Sequence, residues 1–177
     1  MARIQTIKRE TASADVNATL DTVKAKLGKV PNLIATFAQA PAALHAYLGL
    51  SEAVTKGRLT AKQRESLALA IGQANSCQYC LSAHSLIARG AGLNTEAIQA
   101  ARHAESGDAL TEALLKLAVK IVQQRGVLSD QDFMEAQLAG VDDGLILEVI
   151  ANVSLNTLTN YTNHIAQTEI DFPVVEV

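Results

Sequence analysis

Apolar residues recur at steps of three and four along most of this chain, and this spacing places them on one face of an α-helix. Val16, Leu20, Val23 and Leu27 form one such series, and Gly28 directly after them is typical of the C-terminal end of a helix. No segment shows the alternation of apolar and polar residues that is expected of a half-buried β-strand. The pattern therefore predicts an all-α fold.

Proline, glycine and capping residues divide the chain into about eight or nine predicted helices. The sequence has no linker and no low-complexity tract, so we predict a single compact domain over 1–177, with its core motif region at 57–125. The predicted helices cover 16–27, a short segment between Pro31 and Pro41, Pro41 to Lys56, Thr60 to Ala74, Ser76 to Gly90 or Gly92, Asn94 to His103, Asp108 to Arg125, the segment SDQDFMEAQLAG, and Asp143 to Gln167.

Alanine and leucine must fill most of the core, because aromatic residues make up only 3% of the chain and tryptophan is absent. Small aliphatic side chains of this kind suit close packing between helices. Charged residues account for 19% of the chain, below the typical share of about 25%. The composition therefore predicts either a fairly apolar surface or a surface that is covered in an oligomer.

Charge and hydropathy exclude two classes of partner. A formal net charge of -3 without a large basic cluster argues against a nucleic-acid-binding protein. No segment reaches the roughly 18 uninterrupted apolar residues of a membrane span, and the polar start MARIQTIKRETASAD lacks the apolar region of a signal peptide. We therefore expect a soluble, cytoplasmic protein, in which a CxxC pair is more often catalytic or metal-binding than structural.

Both cysteines lie in the segment NSCQYCLSAH. If Ser76 caps a helix there, Cys77, Cys80 and His84 fall within a sector of roughly 60° on one helix face. The cysteines then occupy the first turn, where unpaired N–H groups and the helix dipole stabilise a thiolate. His84, one turn further on, can accept or relay a proton. Glu65, in the preceding helix, could orient His84 or take the proton itself if the two helices pack antiparallel.

Other interpretations of these residues stay open. The two cysteines could be small buried residues that only fill space. They could also bind zinc together with His84, with Glu65, His103 or His164 as the fourth ligand. Considered alone, Glu65 is most simply a surface carboxylate, while His45 and His103 are most simply surface or helix-end residues. His164 is expected either in the core or as a residue that supports the site without touching its reacting atoms.

The spacing of the motif resembles the signature of the AhpD-like alkylhydroperoxidases, in the wider carboxymuconolactone decarboxylase superfamily. The signature here is Glu65, eleven residues, Cys77-x-x-Cys80, three residues and His84, followed by SLIARGAGL. The resemblance covers most of the chain, from VPNLIATFAQAPAALHAYLGL to NTLTNYTNHIAQTEIDFP. Tyr79 stands where the best-known members have a histidine, and many peroxidase-related members share this CxYC form.

This resemblance implies an AhpD-like helical fold and the activity of a thiol-dependent hydroperoxide reductase, an antioxidant peroxidase without haem, flavin or metal. It implies that Cys80 is the peroxidatic thiol, that Cys77 is the resolving thiol, and that Glu65 and His84 form the proton relay that activates Cys80. It further implies a homo-oligomer, a trimer or a hexamer, and a dithiol reductant such as a lipoyl- or thioredoxin-type protein. The helix terminus by itself favours Cys77 as the nucleophile instead.

Three further functions stay open beside the peroxidase. The chain could be a general disulfide oxidoreductase, and Tyr79 keeps this possibility open because the reductant of the best-known members need not be shared. It could be a lactone decarboxylase-like enzyme, although such members of the superfamily lack the redox CxxC. It could also be a metal-binding or redox-sensing oligomer without enzymatic activity.

Overall fold

The computed structural model describes all 177 residues. Its helices begin and end largely where capping residues, prolines and glycines predict. The prediction of an all-α fold is confirmed, because the structure has nine α-helices and no β-strand. A short 3-10 turn at Arg9–Thr11 precedes them. The helices are α1 (Ala14–Leu27), α2 (Asn32–Phe37), α3 (Pro41–Val54), α4 (Ala61–Ala74), α5 (Gln78–Gly90), α6 (Thr95–Arg102), α7 (Ala109–Gln124), α8 (Asp130–Leu138) and α9 (Asp143–Ala166).

Local signals account for several of these boundaries. Thr60 and Gln63 form the capping box that the sequence predicts at the start of α4, with each side chain bonded to the other residue's backbone N–H. Gly28 ends α1 with φ +78°, a left-handed conformation that glycine adopts without steric cost. No helix is both long enough and apolar enough to cross a membrane.

Two adjoining apolar clusters form the core. The larger contains 20 buried residues, mostly from α4, α6, α7 and α9, and the smaller contains 12, mostly from α1, α2 and α5. Helix α5 belongs to both, since Leu81 packs into the larger cluster while Tyr79, Cys80 and Ala83 pack into the smaller one. The cysteine motif therefore lies where the two halves of the core meet.

Helices α4 and α5 form an antiparallel hairpin. Near the end of α4, an added Cβ on Gly72 would lie 3.6 Å from the Cβ of Cys80, which is near the start of α5. Near the start of α4, Glu65 reaches His84 in the middle of α5. The hairpin therefore brings residues that are 19 positions apart in the sequence into contact.

The C-terminal segment after α9 runs back along the cysteine helix. The backbone N–H of Val175 donates to Ser82 Oγ at 3.0 Å, and Gln78 donates to the Glu176 carboxylate at 2.9 Å. Phe172 and Ile170 pack against the smaller apolar cluster. The end of the chain thus covers one side of the motif region.

Candidate active site

Cys77 and Cys80 are joined by a disulfide at the start of α5, with Cα atoms 5.3 Å apart. The two residues are only 1% and 3% exposed, so solvent has little access to either sulfur. A helical turn brings side chains three positions apart onto the same face, which is why the CxxC pair closes without a change of backbone. The separation of the Cα atoms lies within the usual range for a disulfide.

Cys77, and not Ser76, caps α5, so the prediction that Ser76 starts the helix is wrong. The chain reverses between α4 and α5 within three residues, and Ser76 takes a left-handed conformation with φ +53° to make the reversal. Cys77 therefore moves into the N-cap position, where its Sγ accepts the backbone N–H of Cys80 at 3.4 Å. A sulfur thus stands where a serine or aspartate oxygen usually caps a helix.

Glu65 and His84 form a partly buried pair in which Glu65 Oε2 lies 2.8 Å from His84 Nδ1. Their side chains are only 18% and 24% exposed, so the interpretation of Glu65 as a free surface carboxylate is wrong. A carboxylate accepts a hydrogen bond, so it holds the proton on Nδ1 and leaves Nε2 able to accept one. The pair fixes both the orientation and the tautomer of the imidazole.

An apolar pocket of about 270 Å³ opens next to the disulfide. Cys80 and His84 both line it, whereas Cys77 does not, so Cys80 is the sulfur that faces the pocket. Its other walls come from five helices (α1, α2, α3, α5 and α9), the α1–α2 connection and the C-terminal segment. The residues are Leu27, Lys29, Pro31, Leu33, Ile34, Tyr47, Tyr79, Ala83, Leu86, Ile87, Thr159 and Phe172. The pocket can hold a small, mostly apolar molecule against the sulfur of Cys80.

A smaller cavity of about 110 Å³ lies on the Glu65 side of His84. Tyr47, Thr159 and His84 line both this cavity and the apolar pocket. Burial and the charge of Glu65 raise the pKa of Tyr47 above its ordinary value, so its hydroxyl stays protonated. The ring of His84 therefore borders both spaces, the smaller cavity that Glu65 lines and the apolar pocket that Cys80 lines.

Two asparagines of α9 complete the surroundings of Cys80, and the sequence analysis assigned them no role. Asn160 Nδ2 lies 2.9 Å from Cys80 Sγ, and Asn163 Nδ2 lies 3.4 Å from the same atom. One sequence signal could have found them. Asn160 and Asn163 repeat the spacing of the cysteines, and Glu148 precedes them by the same distances as Glu65 precedes the cysteines.

Residues 41–124 match the model of the carboxymuconolactone decarboxylase family, and this range contains Glu65, both cysteines and His84. The chain is therefore similar to the carboxymuconolactone decarboxylase family over its central region. No curated protein matches the chain significantly.

Several solved structures have the same fold. A peroxidase-related protein from Ralstonia eutropha JMP134, described as an alkylhydroperoxidase AhpD core, gives a TM-score of 0.86 at 22% identity, covering 96% of this chain and 92% of that one. A peroxidase-related protein from Silicibacter sp. TM1040 gives 0.81 at 18% identity, covering 94% and 92%. The debrominase Bmp8 gives 0.79 at 21% identity, covering 96% and 92%. The fold is therefore the AhpD-like all-α fold, as predicted.

Tyr79 is the residue between the cysteines that departs from the best-known motif of the carboxymuconolactone decarboxylase superfamily. Its hydroxyl donates to Asp171 Oδ1 at 2.8 Å and accepts the backbone N–H of Leu33 at 3.1 Å. Burial raises its pKa far above the ordinary tyrosine value, so it cannot act as a base at neutral pH. Tyr79 instead ties the start of α2 and the C-terminal segment to the cysteine helix.

The remaining histidines lie away from the sulfurs. His45 is exposed and contacts Asp15, and His103 is exposed at the end of α6. His164 is exposed as well, so its core alternative is wrong, and its Nε2 lies 2.8 Å from the carbonyl oxygen of Asn75. No group of three or more histidine, cysteine or acidic side chains converges as a metal site would require.

Proposed function

We propose that the protein is a dithiol-dependent hydroperoxide reductase. The observation that carries this proposal is the position of Cys80, whose sulfur is bonded to Cys77 and faces an apolar pocket beside His84. A hydroperoxide is a small molecule with one reactive polar end, and the pocket offers apolar walls with a thiol at one side. The combination of a cysteine pair and a pocket large enough for a small substrate supports an oxidoreductase that acts on a peroxide.

The proposed cycle has three balanced steps. The Cys80 thiolate attacks the distal peroxide oxygen, the O–O bond breaks, and the alkoxide takes a proton and leaves as an alcohol, which makes Cys80 a sulfenic acid. The Cys77 thiol then attacks the sulfenic sulfur and releases water, which forms the disulfide. An external dithiol, such as a lipoyl- or thioredoxin-type protein, reduces the disulfide by exchange and is itself oxidised.

His84 and Glu65 are proposed to move the proton in the first step. Nε2 of His84 can take the thiol proton, because Nδ1 is hydrogen-bonded to Glu65 Oε2 at 2.8 Å. The carboxylate stabilises the imidazolium that forms, and the same proton can pass to the departing alkoxide. No metal or organic cofactor enters this scheme.

The main rival is a general disulfide oxidoreductase, which would use the same sulfurs with a protein substrate. The apolar pocket beside Cys80 favours a small-molecule substrate over a protein disulfide. A decarboxylase would leave the disulfide without a role. The debrominase likeness concerns the fold only, but it suggests a bromopyrrole as a second compound for the assay.

We propose that the chain acts as a homo-oligomer through α9. Apolar side chains at helical spacing form an exposed stripe along this helix, and the most exposed of them are Leu147, Tyr161 and Ile165. Light scattering should give a mass that is a multiple of 18.7 kDa for the wild type and a lower mass for Ile165→Glu. A wild-type mass of a single chain would contradict this proposal.

The reductase proposal is tested by steady-state consumption of cumene hydroperoxide with dithiothreitol as the donor. Cys80→Ser should abolish turnover, because the atom that attacks the peroxide is gone. Cys77→Ser should lower it at least roughly tenfold, because the sulfenic acid must then wait for an external thiol. Full turnover in both variants, or none in the wild type with any dithiol, would contradict the proposal.

The same assay, run with 2,3,4-tribromopyrrole in place of the peroxide, separates the two kinds of substrate. The proposal expects rapid reduction of the hydroperoxide and slow or no loss of bromide. Bromide release that is faster than peroxide reduction would contradict the peroxidase proposal and favour a dehalogenase.

Glu65→Gln tests the proton relay. Glutamine keeps the size of the side chain but removes its charge and can donate to Nδ1, which would place the proton on Nε2. The single-turnover peroxide step at neutral pH should slow by about tenfold to a hundredfold. Glu96→Gln is the matched control, because Glu96 is an exposed glutamate of α6 away from the pocket. An unchanged rate in Glu65→Gln would remove Glu65 from the relay.

A further inference from the structure

A reactive thiolate at Cys80 poses an electrostatic problem. The residue is 3% exposed and packs among apolar side chains of the smaller core cluster. A buried anion loses its hydration, which disfavours the charged form unless protein groups donate hydrogen bonds to it. The helix terminus helps less here than at Cys77, because Cys77 occupies the N-cap and already accepts the N–H of Cys80.

Two side-chain amides supply donors at this point. Asn160 is completely buried, with its Nδ2 2.9 Å from Cys80 Sγ, and Asn163 is 6% exposed, with its Nδ2 3.4 Å from that atom. A disulfide sulfur carries no proton and can only accept, so the nitrogen and not the oxygen of each amide faces it. Both donors approach Cys80, and neither approaches Cys77.

A second amide fixes the orientation of Asn160. Asn75 Nδ2 donates to Asn160 Oδ1 at 2.9 Å, so a flip of the Asn160 amide would bring two NH₂ groups together. The backbone carbonyl of Asn75 is in turn 2.8 Å from His164 Nε2. A chain of hydrogen bonds therefore runs from the surface to the sulfur and keeps the amide donor aimed at it.

Neighbouring asparagines on the same helix show that this arrangement is specific. Asn152 and Asn156 are also buried in α9, but their Nδ2 atoms donate to the backbone carbonyl oxygens of Glu148 and Asn152. Their donors are used within the helix. Among the buried asparagines of α9, only Asn160 and Asn163 direct an amide at a group that can become an anion.

We propose that Asn160 and Asn163 form an amide cradle that stabilises the thiolate of Cys80, and that Asn75 is the positioning residue that orients it. The cradle favours Cys80 over Cys77 as the nucleophile. This inference deepens the proposed function, and it depends on that function only for the identity of the substrate. The donors also lower the free energy of the reduced, ionised form, so they favour reduction of the disulfide.

The test is the pH profile of alkylation by iodoacetamide in a Cys77→Ser background, where Cys80 is the only thiol. Asn160→Ala should move the midpoint of the profile to higher pH, and the thiolate fraction at pH 7 should fall about tenfold, as expected for the loss of one hydrogen bond to a charged group. Asn163→Ala should shift the midpoint in the same direction but less, because its nitrogen is farther from the sulfur. The midpoints of the profiles are compared, and not the rates, because a change in the access of iodoacetamide to Cys80 alters the rate at every pH but leaves the midpoint unchanged.

Asn152→Ala is the matched control, since it removes a buried amide of the same size from the same helix without touching the sulfur. It should leave the midpoint unchanged. Asn75→Ala should give a shift smaller than that of Asn160→Ala, because the amide remains but is free to turn. If Asn160→Ala does not fold, Asn163→Ala and Asn75→Ala still decide the question.

An unchanged or lower midpoint in Asn160→Ala, or a shift in Asn152→Ala of equal size, would overturn the cradle. A lower midpoint would mean that the amide oxygen accepts the thiol proton instead. Because alkylation involves no peroxide, these outcomes are independent of the peroxidase assay. If the midpoints shift as expected but the wild type does not turn over peroxide, the cradle is supported and the proposed substrate is wrong.

Discussion

The candidate site depends on the antiparallel packing of α4 against α5. A connection of three residues, with Ser76 in a left-handed conformation, reverses the chain between the two helices. This reversal places Cys77 at the N-cap, brings Gly72 close to Cys80, and lets Glu65 reach His84. The carboxylate, the imidazole and the disulfide are thus held by two helices whose relative position is fixed by the larger apolar cluster.

The two cysteines differ in their surroundings although they are three residues apart. Cys77 caps the helix and lies outside the pocket, whereas Cys80 faces the pocket and receives two side-chain amides. A resolving thiol needs only to reach the sulfenic sulfur, and the short CxxC spacing ensures that. In the proposed mechanism the attacking thiol needs a space for the substrate, a base and stabilisation of its charge, and Cys80 is the cysteine that lies beside a pocket, a histidine and two amides.

The C-terminal segment adds a wall that the helical hairpin could not supply. Asp171 accepts hydrogen bonds from Tyr79 and Lys29, and Phe172 packs edge-to-face on the Tyr79 ring with centroids 5.6 Å apart. Tyr79 and Phe172 both line the pocket. The tyrosine of the CxYC motif therefore shapes the wall of the pocket.

Helical spacing in the sequence predicted the fold class, most helix boundaries and the cluster of Cys77, Cys80 and His84, because these depend on local periodicity. The cap at Ser76 was wrong because a tight reversal, and not capping preference, decides where α5 starts. The environment of Glu65 could not be read from its own helix, since burial depends on how α5 packs against it. Asn160 and Asn163 were missed for the same reason, because only tertiary packing brings α9 to a sulfur 80 residues away.

The most direct test of the central claim, that Cys80 reacts with the peroxide, is to trap its sulfenic acid. Cys77→Ser is treated with one equivalent of cumene hydroperoxide and then with dimedone, and the adduct is located by mass spectrometry. Cys80 should carry the dimedone adduct, with about one cumyl alcohol released per chain, while Cys77 in the Cys80→Ser variant should remain largely unmodified. An unmodified Cys80, or a faster reaction at Cys77, would contradict the mechanism.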